Sequence, residues 1–300
     1  MKTLKDQATN KVNIVGKLMD TVFRTGKLIG DGRDYESVNM TIRVTQTYGG
    51  REETSEIPVS MFATRYTTKG ASNPGFEQLQ AIKNMKTIQN YGYEEADTIR
   101  INSASVRENN FITRSGQLIN GWQLNTSFAG PGNMKDVATF SNDIFIMDMH
   151  PEEDREGDST GRLIIKGGLV QYGENLDVLE YIVEQPEAVE YIERNWNVND
   201  TVNVQGRIRV TSVEEKKSGS NSSWGEDIPE MTTRTIRELI ITKGDDEGRE
   251  EEFAYDPDEI KKGFNARQAR IQQMQLEASQ RAKTSDKKAA TTTAAKYDWE

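Results

Sequence analysis

Between residues 38 and 45 the chain alternates in every position: Val38, Met40, Ile42 and Val44 are apolar, and Asn39, Thr41, Arg43 and Thr45 are polar. A period of two predicts a β-strand with one face in a core. Related runs lie on either side. Residues 10–23 put Val12, Ile14, Gly16 and Leu18 on one face, and a loop rich in Gly, Arg and Lys follows over 24–36. Beyond the turn Tyr48-Gly49-Gly50-Arg51, whose glycines supply positive φ, a third strand runs from Thr54 to Phe62. The period then changes. Phe76, Leu79, Ile82 and Met85 recur at helical spacing, behind a capping Asn73 and a first-turn Pro74, which predicts a helix from Pro74 to about Gln89. Strands over Thr98–Val106 and Gln117–Thr126 complete the set.

One of these strands is written twice. Asp97-Thr98-Ile99-Arg100-Ile101-Asn102 returns 103 residues later as Asp200-Thr201-Val202-Asn203-Val204-Gln205, and each copy follows a helical stretch opened by proline, Pro74 or Pro186. The second half reads as strands at Asp143–Met147, Arg162–Gln171 and Asp177–Val183, then a helix with Val189, Ile192 and Trp196 on one face. A strand at Thr201–Val213, a Ser/Gly/Asn loop from Lys217 to Gly225 that carries Trp224, and a last strand at Thr233–Thr242 follow. The order in each half is β-β-β-α-β-β, that of the five-stranded oligonucleotide-binding barrel, the OB-fold. The expectation is a mainly β protein of two tandem OB-fold-like five-stranded barrels, residues 10–128 and 136–243. Residues 244–300 read as an acidic, low-complexity tail, partly helical or disordered, with a helix at 257–282 behind Asp256-Pro257.

Composition narrows the chemistry. Three hundred residues suit two separate cores. The absence of cysteine excludes disulfides, thiolate metal sites and a cysteine nucleophile. No apolar run is long enough to span a membrane, and the polar start, Met1 to Thr9, has no signal-peptide core, so a cytoplasmic location is expected. The net charge of −10 is uneven: residues 1–135 hold 17 basic against 13 acidic groups, and residues 136–243 hold 11 against 22. A polyanion meets less repulsion on the first third. The one histidine, His150, lies among Glu152, Glu153, Asp154, Glu156 and Asp158 and reads as a solvated loop residue rather than a metal ligand. No phosphate loop, nucleophile elbow or zinc-protease motif occurs, so neither an enzyme nor a cofactor is expected.

The opening Asn10-Lys11-Val12-Asn13-Ile14-Val15-Gly16-Lys17-Leu18 resembles the first strand of bacterial single-stranded DNA-binding proteins, and the strand order that follows extends the resemblance over about residues 10–125. The third strand lacks that family's tryptophan, with Ser55-Glu56-Ile57-Pro58 in its place, and the C-terminus lacks the family's Asp-Asp-Ile-Pro-Phe type of ending. A duplicated barrel with a divergent tail fits a bacteriophage version. The resemblance implies a non-enzymatic protein that coats single-stranded DNA in replication or recombination, in the cytoplasm of a bacterial host. A structural or scaffolding β-protein of a virus and an RNA-binding OB protein are the alternatives.

Single strands are held by aromatic faces that stack on bases and by cations that follow the phosphates. In an OB-fold the candidates are Arg24, Lys27, Arg33 and Tyr35 after the first strand, Arg43 on the second, and Tyr48 and Arg51 at its turn. Past the third strand come Phe62, Arg65, Tyr66 and Lys69, and past the fourth Arg107, Phe111 and Arg114. Phe62 reads more readily as core, whereas Tyr35, Tyr48 and Phe111 stand in polar loops with no core to fill. The acidic block Asp245–Glu252 could compete with DNA for this basic surface. The tip Tyr297-Asp298-Trp299-Glu300 is acidic and aromatic, as in the tails by which the family recruits replication and repair proteins, and is the candidate site for a protein partner.

Overall fold

The computed structural model describes the backbone of residues 1–113, 116–154, 156–217 and 230–292, and the side chains within those ranges except at 214–217, 230–232 and 281–292. The first half contains β1 (Asn10–Lys27), β2 (Asp34–Tyr48), β3 (Arg51–Thr64), α1 (Pro74–Lys83), α2 (Ile88–Tyr91) and β4 (Thr98–Glu108). It continues with the short pair β5 (Phe111–Ile112) and β6 (Leu118–Ile119), then β7 (Trp122–Thr126) and β8 (Gly130–Pro131). The second half contains β9 (Val137–Glu153), β10 (Ser159–Gln171), β11 (Asn175–Val183), α3 (Pro186–Asn195), β12 (Thr201–Lys217), β13 (Glu230–Gly244) and the long helix α4 (Pro257–Thr292).

Hydrogen bonding closes a set of five strands on itself in each half. β1 pairs antiparallel with β2 and β4, β2 with β3, and β4 with β7, while β7 runs parallel to β3. In the second half β9 pairs with β10 and β12, β10 with β11, and β12 with β13, while β13 runs parallel to β11. The alternating apolar residues face inward: Val38, Met40, Ile42 and Val44 on β2 are buried, as are Ile57, Val59 and Met61 on β3. Gly16 marks the tightest approach in the first ring, because a Cβ there would collide with the Arg43 carbonyl and the Val44 side chain.

Strands run further, and the first helix less far, than the apolar pattern predicts. β1 and β2 extend through Lys27 and from Asp34, so the expected loop of 24–36 shrinks to residues 28–33. Helix α1 starts as expected, with the Asn73 side chain accepting from the Gly75 N–H at 3.0 Å and Leu79 and Ile82 buried. It ends at Lys83 because the chain is captured by the start of β4: the Lys86 N–H donates to the Asp97 carboxylate at 2.7 Å, and the Asp97 N–H to the Lys86 carbonyl at 2.9 Å.

The strand repeated in the sequence is β4 and β12, and its two copies pair alike. Thr98 faces Lys17 on β1, and Thr201 faces Phe145 on β9, so Lys17 and Phe145 hold the same position. Counting back, Val12 corresponds to Phe140, and these two residues face each other in the antiparallel β1–β9 ladder. The ladder is therefore centred on a local two-fold relation between the rings. Each long hairpin reaches across to the other ring. Near the β2–β3 tip, Ser55 accepts from the Val210 N–H at 3.1 Å; near the β10–β11 tip, Gln171 donates to the Val106 carbonyl at 3.2 Å.

The segment after β13 departs from the loosely attached tail read from the sequence. The Asp245 carboxylate accepts from the Asn203 N–H at 2.7 Å, its carbonyl accepts from the Trp196 indole at 3.0 Å, and Arg249 bridges to Asp143 at 2.9 Å. Tyr255 is buried and donates to the Asp6 carbonyl at 2.6 Å. Helix α4 buries Ile260, Arg267 and Ile271. The acidic block thus begins against the second ring, which argues against its competing for the basic surface of the first. No described helix is long and apolar enough to cross a membrane.

Candidate nucleic-acid interface

Eight of the candidates gather at one end of the β1–β2–β3 surface. Register sets Arg24, Ser37 and Phe62 in one row across the three strands, and Gly26, Tyr35 and Thr64 in the next. Tyr35 belongs to strand β2, not a loop, and its ring centre lies 5.1 Å from that of Phe62. Phe62 is 49% exposed, so the core reading of it does not hold. Arg65 covers the exposed Tyr66 ring at 5.7 Å. Two of the cations are already engaged: Arg33 bonds Asp31 at 2.6 Å, and Lys27 bonds Asp34 at 2.9 Å. Arg24 and Lys69 are exposed and form no ion pair among the described residues.

Phe62 also lines a groove that runs over β3, β7 and β4. Its volume is about 360 Å³, and Ser60, Ser103, Ser105, Arg107 and Asn125 line it with Phe62. Ser103 is shared with a second depression of about 180 Å³ that adds Arg100, Asn102 and the half-exposed Phe128. Arg100 and Arg107 form no ion pair among the described residues. Arg100, Ser103, Ser105, Asn125 and Phe128 escaped the sequence reading. Strand β4 carries a bulge opposite Val12–Ile14, and Asn102 and Ser103 are both exposed there. This bulge shifts the alternation so that Ser105 and Arg107 rejoin the face that Arg100 begins.

The remaining candidates lie elsewhere. Arg43 is tied to Glu56 at 2.5 Å in the middle of the sheet. Tyr48 stands about 43 Å from Tyr35 along β2. It is not a free loop aromatic: Arg207 of the second ring lies 4.3 Å from its ring centre, and burial raises its hydroxyl above the usual tyrosine range. Arg51 is exposed in the adjoining turn. Phe111 is half exposed on β5. Arg114, Trp224 and the tip Tyr297–Glu300 lie outside the described residues. His150 is on β9, with Nδ1 3.1 Å from Asp148, and among the described residues no three His, Asp or Glu side chains converge on a metal position.

The second ring provides an internal comparison. Along β4 and β12, Val106 and Ile208 correspond, so Arg107 corresponds to Arg209. The Arg107 partner on β7 is Gln123, and that of Arg209 on β13 is Glu238. Going round the other way, through β2–β3 and β10–β11, Ile57 matches Leu179, and Phe62 therefore matches Glu184. The parallel pairs Ser60–Asn125 and Ile182–Ile240 reach the same correspondence independently. Where the first ring has an aromatic, an amide and an arginine with no ion pair among the described residues, the second has two carboxylates closed on their arginine. Arg209 contacts Glu53 at 3.3 Å, Glu184 at 3.2 Å and Glu238 at 2.6 Å, and Glu238 also holds Arg162 at 2.5 Å. The buried Arg207 pairs with Glu53 and Glu184. The second groove is filled by its own side chains and by the first ring's hairpin.

Comparison with known proteins agrees with a mainly β fold. The crystal structure of the wild-type single-stranded DNA binding protein from Thermus aquaticus superimposes with a TM-score of 0.50 at 13% identity, covering 82% of this chain and 96% of that one. That likeness shows a shared, mainly β fold. A replication protein A heterotrimer bound to single-stranded DNA matches 81% of this chain and 67% of its own at 9% identity, with a TM-score of 0.21, too low to indicate a common fold. No curated protein matches in sequence. A protein-family model described as YorF matches residues 8–277.

Proposed function

The chain belongs to the YorF family, and from the groove of its first ring we propose that it binds single-stranded DNA there, with little sequence preference. The two rings are read as tandem OB-type barrels, residues 10–128 and 136–243, with 244–300 as a C-terminal extension. The carrying observation is the contrast at matched positions: Phe62 and an Arg107 with no ion pair among the described residues in the first ring, against Glu184 and an Arg209 held by three carboxylates in the second.

In this reading Phe62, tilted against Tyr35, and Phe128 offer faces to bases, with Phe111 on the adjoining hairpin. Arg24, Arg65, Lys69, Arg100 and Arg107 follow the phosphates. The serines and Asn125 line the groove without charge, which suits any base. The second ring holds the β2–β3 hairpin in place instead of binding DNA. The fold shared with a protein described as a single-stranded DNA binding protein supports the assignment. The protein would coat single strands in DNA replication or recombination, in a bacteriophage setting within the host cytoplasm. It would meet other replication or recombination proteins through Tyr297–Glu300, and no chemical step is ascribed to it.

The test is fluorescence anisotropy of a labelled 30-nucleotide poly-dT, titrated at two salt concentrations with an unlabelled duplex of equal length as competitor. Binding that weakens steeply with salt and resists the duplex is expected. No binding at low salt would overturn the assignment and favour a scaffolding role.

A further inference from the structure

Glu108 and Asp177 meet at the end of β4, Asp177 buried and the Glu108 side chain only 9% exposed. Glu108 ends β4 directly after Arg107, and its N–H donates to the Asp177 carboxylate at 3.2 Å. Burial raises the Asp177 carboxyl above its usual range and the Glu108 charge adds to that rise, while Arg107 and Arg270 pull against it. Two such carboxylates, left alone, would draw in the nearest cation.

For Glu108 that cation is supplied by helix α4. Arg267 is itself buried, and its Nε lies 2.9 and 2.8 Å from the two oxygens of Glu108. One turn on, Arg270 bonds the Asn175 side chain at 2.7 Å, next to Asp177. The helix is held close at this point, since a side chain at Gly263 would crowd Leu4 and Leu176. Arg107, the cation nearest in sequence, lines the groove and has no ion pair among the described residues.

We propose that α4 sets the charge of the groove through Arg267, which occupies the Glu108 carboxylate that would otherwise capture Arg107 and so leaves Arg107 available to a phosphate. Arg267 is then a positioning residue that acts through Arg107. This rests on the reading of the first-ring groove as a single-strand site.

The experiment uses the full chain and the labelled 30-nucleotide poly-dT over a salt series. Arg267→Gln is expected to weaken binding about tenfold and to lower the slope of log affinity against log salt by about 0.7, one phosphate contact's worth. Arg107→Ala should reproduce both changes. The double variant Glu108→Gln/Arg267→Gln removes the competing charge as well as the helix's cation, and should restore wild-type affinity and slope. A purely structural role for Arg267 would give no such rescue. If Arg267→Gln does not fold, the double variant decides alone: wild-type binding supports the proposal, and binding as weak as Arg107→Ala overturns it. Wild-type protein that fails to bind poly-dT would overturn the underlying reading. Wild-type binding with an unaffected Arg267→Gln variant would overturn only the role of α4.

Discussion

The guanidinium of Arg207 lies 4.3 Å from the centre of the Tyr48 ring, joining the β2–β3 hairpin of one half to β12 of the other. The same arginine pairs with Glu53 of that hairpin and with Glu184. Burial, with Arg209 beside it, pulls the Arg207 pKa down; its carboxylate partners offset the cost of holding the charge there. Arg207→Ala removes the aromatic contact and leaves two carboxylates short of a partner. A loss of about 2–4 kcal/mol is expected in urea denaturation, somewhat below a fully buried pair because both carboxylates are partly solvated. Arg207→Met, which keeps a stem against Tyr48, should lose less; equal losses would mean that the packing on Tyr48 contributes nothing.

The contrast between the two grooves predicts opposite consequences for truncating one residue in each. Phe62→Ala should weaken poly-dT binding by about 1–3 kcal/mol, the range for loss of one stacking face, with little change in thermal stability because Phe62 is half exposed. Arg209→Ala should do the reverse, lowering the melting temperature and leaving affinity intact. Anisotropy and thermal melts on the two variants check this, and a binding defect in Arg209→Ala would reopen the second groove as a site.

Gly16 sits where β1 passes under Arg43 and Val44 with no room for a Cβ. Gly16→Ala should cost about 1–3 kcal/mol, the usual range for overpacking, read as a shift of the urea midpoint. A neutral result would mean that β1 and β2 can part locally without penalty.

Acid stability should depend on Glu238. Burial alone would raise its carboxyl, but hydrogen bonds from Arg162 and Arg209 and their charges outweigh burial and hold it below the ordinary glutamate value. A carboxyl lowered by folding contributes stability above its unfolded pKa and loses it as pH falls through the folded one. Below pH 4.5, the ordinary value, wild-type protein should lose stability progressively. Glu238→Gln should be less stable at pH 7 and should lose less on acidification. Parallel acid profiles for the two proteins would rule out this group as a source of the loss.

Where a residue's environment is local, the sequence was sufficient. The alternation of Val38 to Val44 marks a core-facing strand, Asn73-Pro74 starts a helix, and the repeat of Asp97–Asn102 at Asp200–Gln205 marks equivalent strands. The ends of β1 and β2 were not legible, because Arg24, Lys27, Asp34 and Tyr35 sit on a ribbon that projects past the core and so lack an apolar rhythm. Tyr48 was misread because its cover, Arg207, comes from the other half of the chain. The groove was half visible: Phe62 and Arg107 were named, but their alignment with Asn125 and Phe128 depends on a parallel β3–β7 pairing and a bulge that composition does not signal. The packing of residues 245–271 was missed because polar groups dock it: Asp245, Arg249 and Arg267 read as solvated charges until their partners are known.

Val12 and Phe140 face each other at the centre of the β1–β9 ladder, so a single polypeptide makes the contact that two identical chains would make across a symmetry axis. In a pair of identical chains every substitution is made twice, once on each side of the axis. Here each side carries its own sequence and the two are always present in equal number. The same position can therefore hold an aromatic on one side, Phe62, and a carboxylate on the other, Glu184, which pairs with the arginines that brace its twin's hairpin.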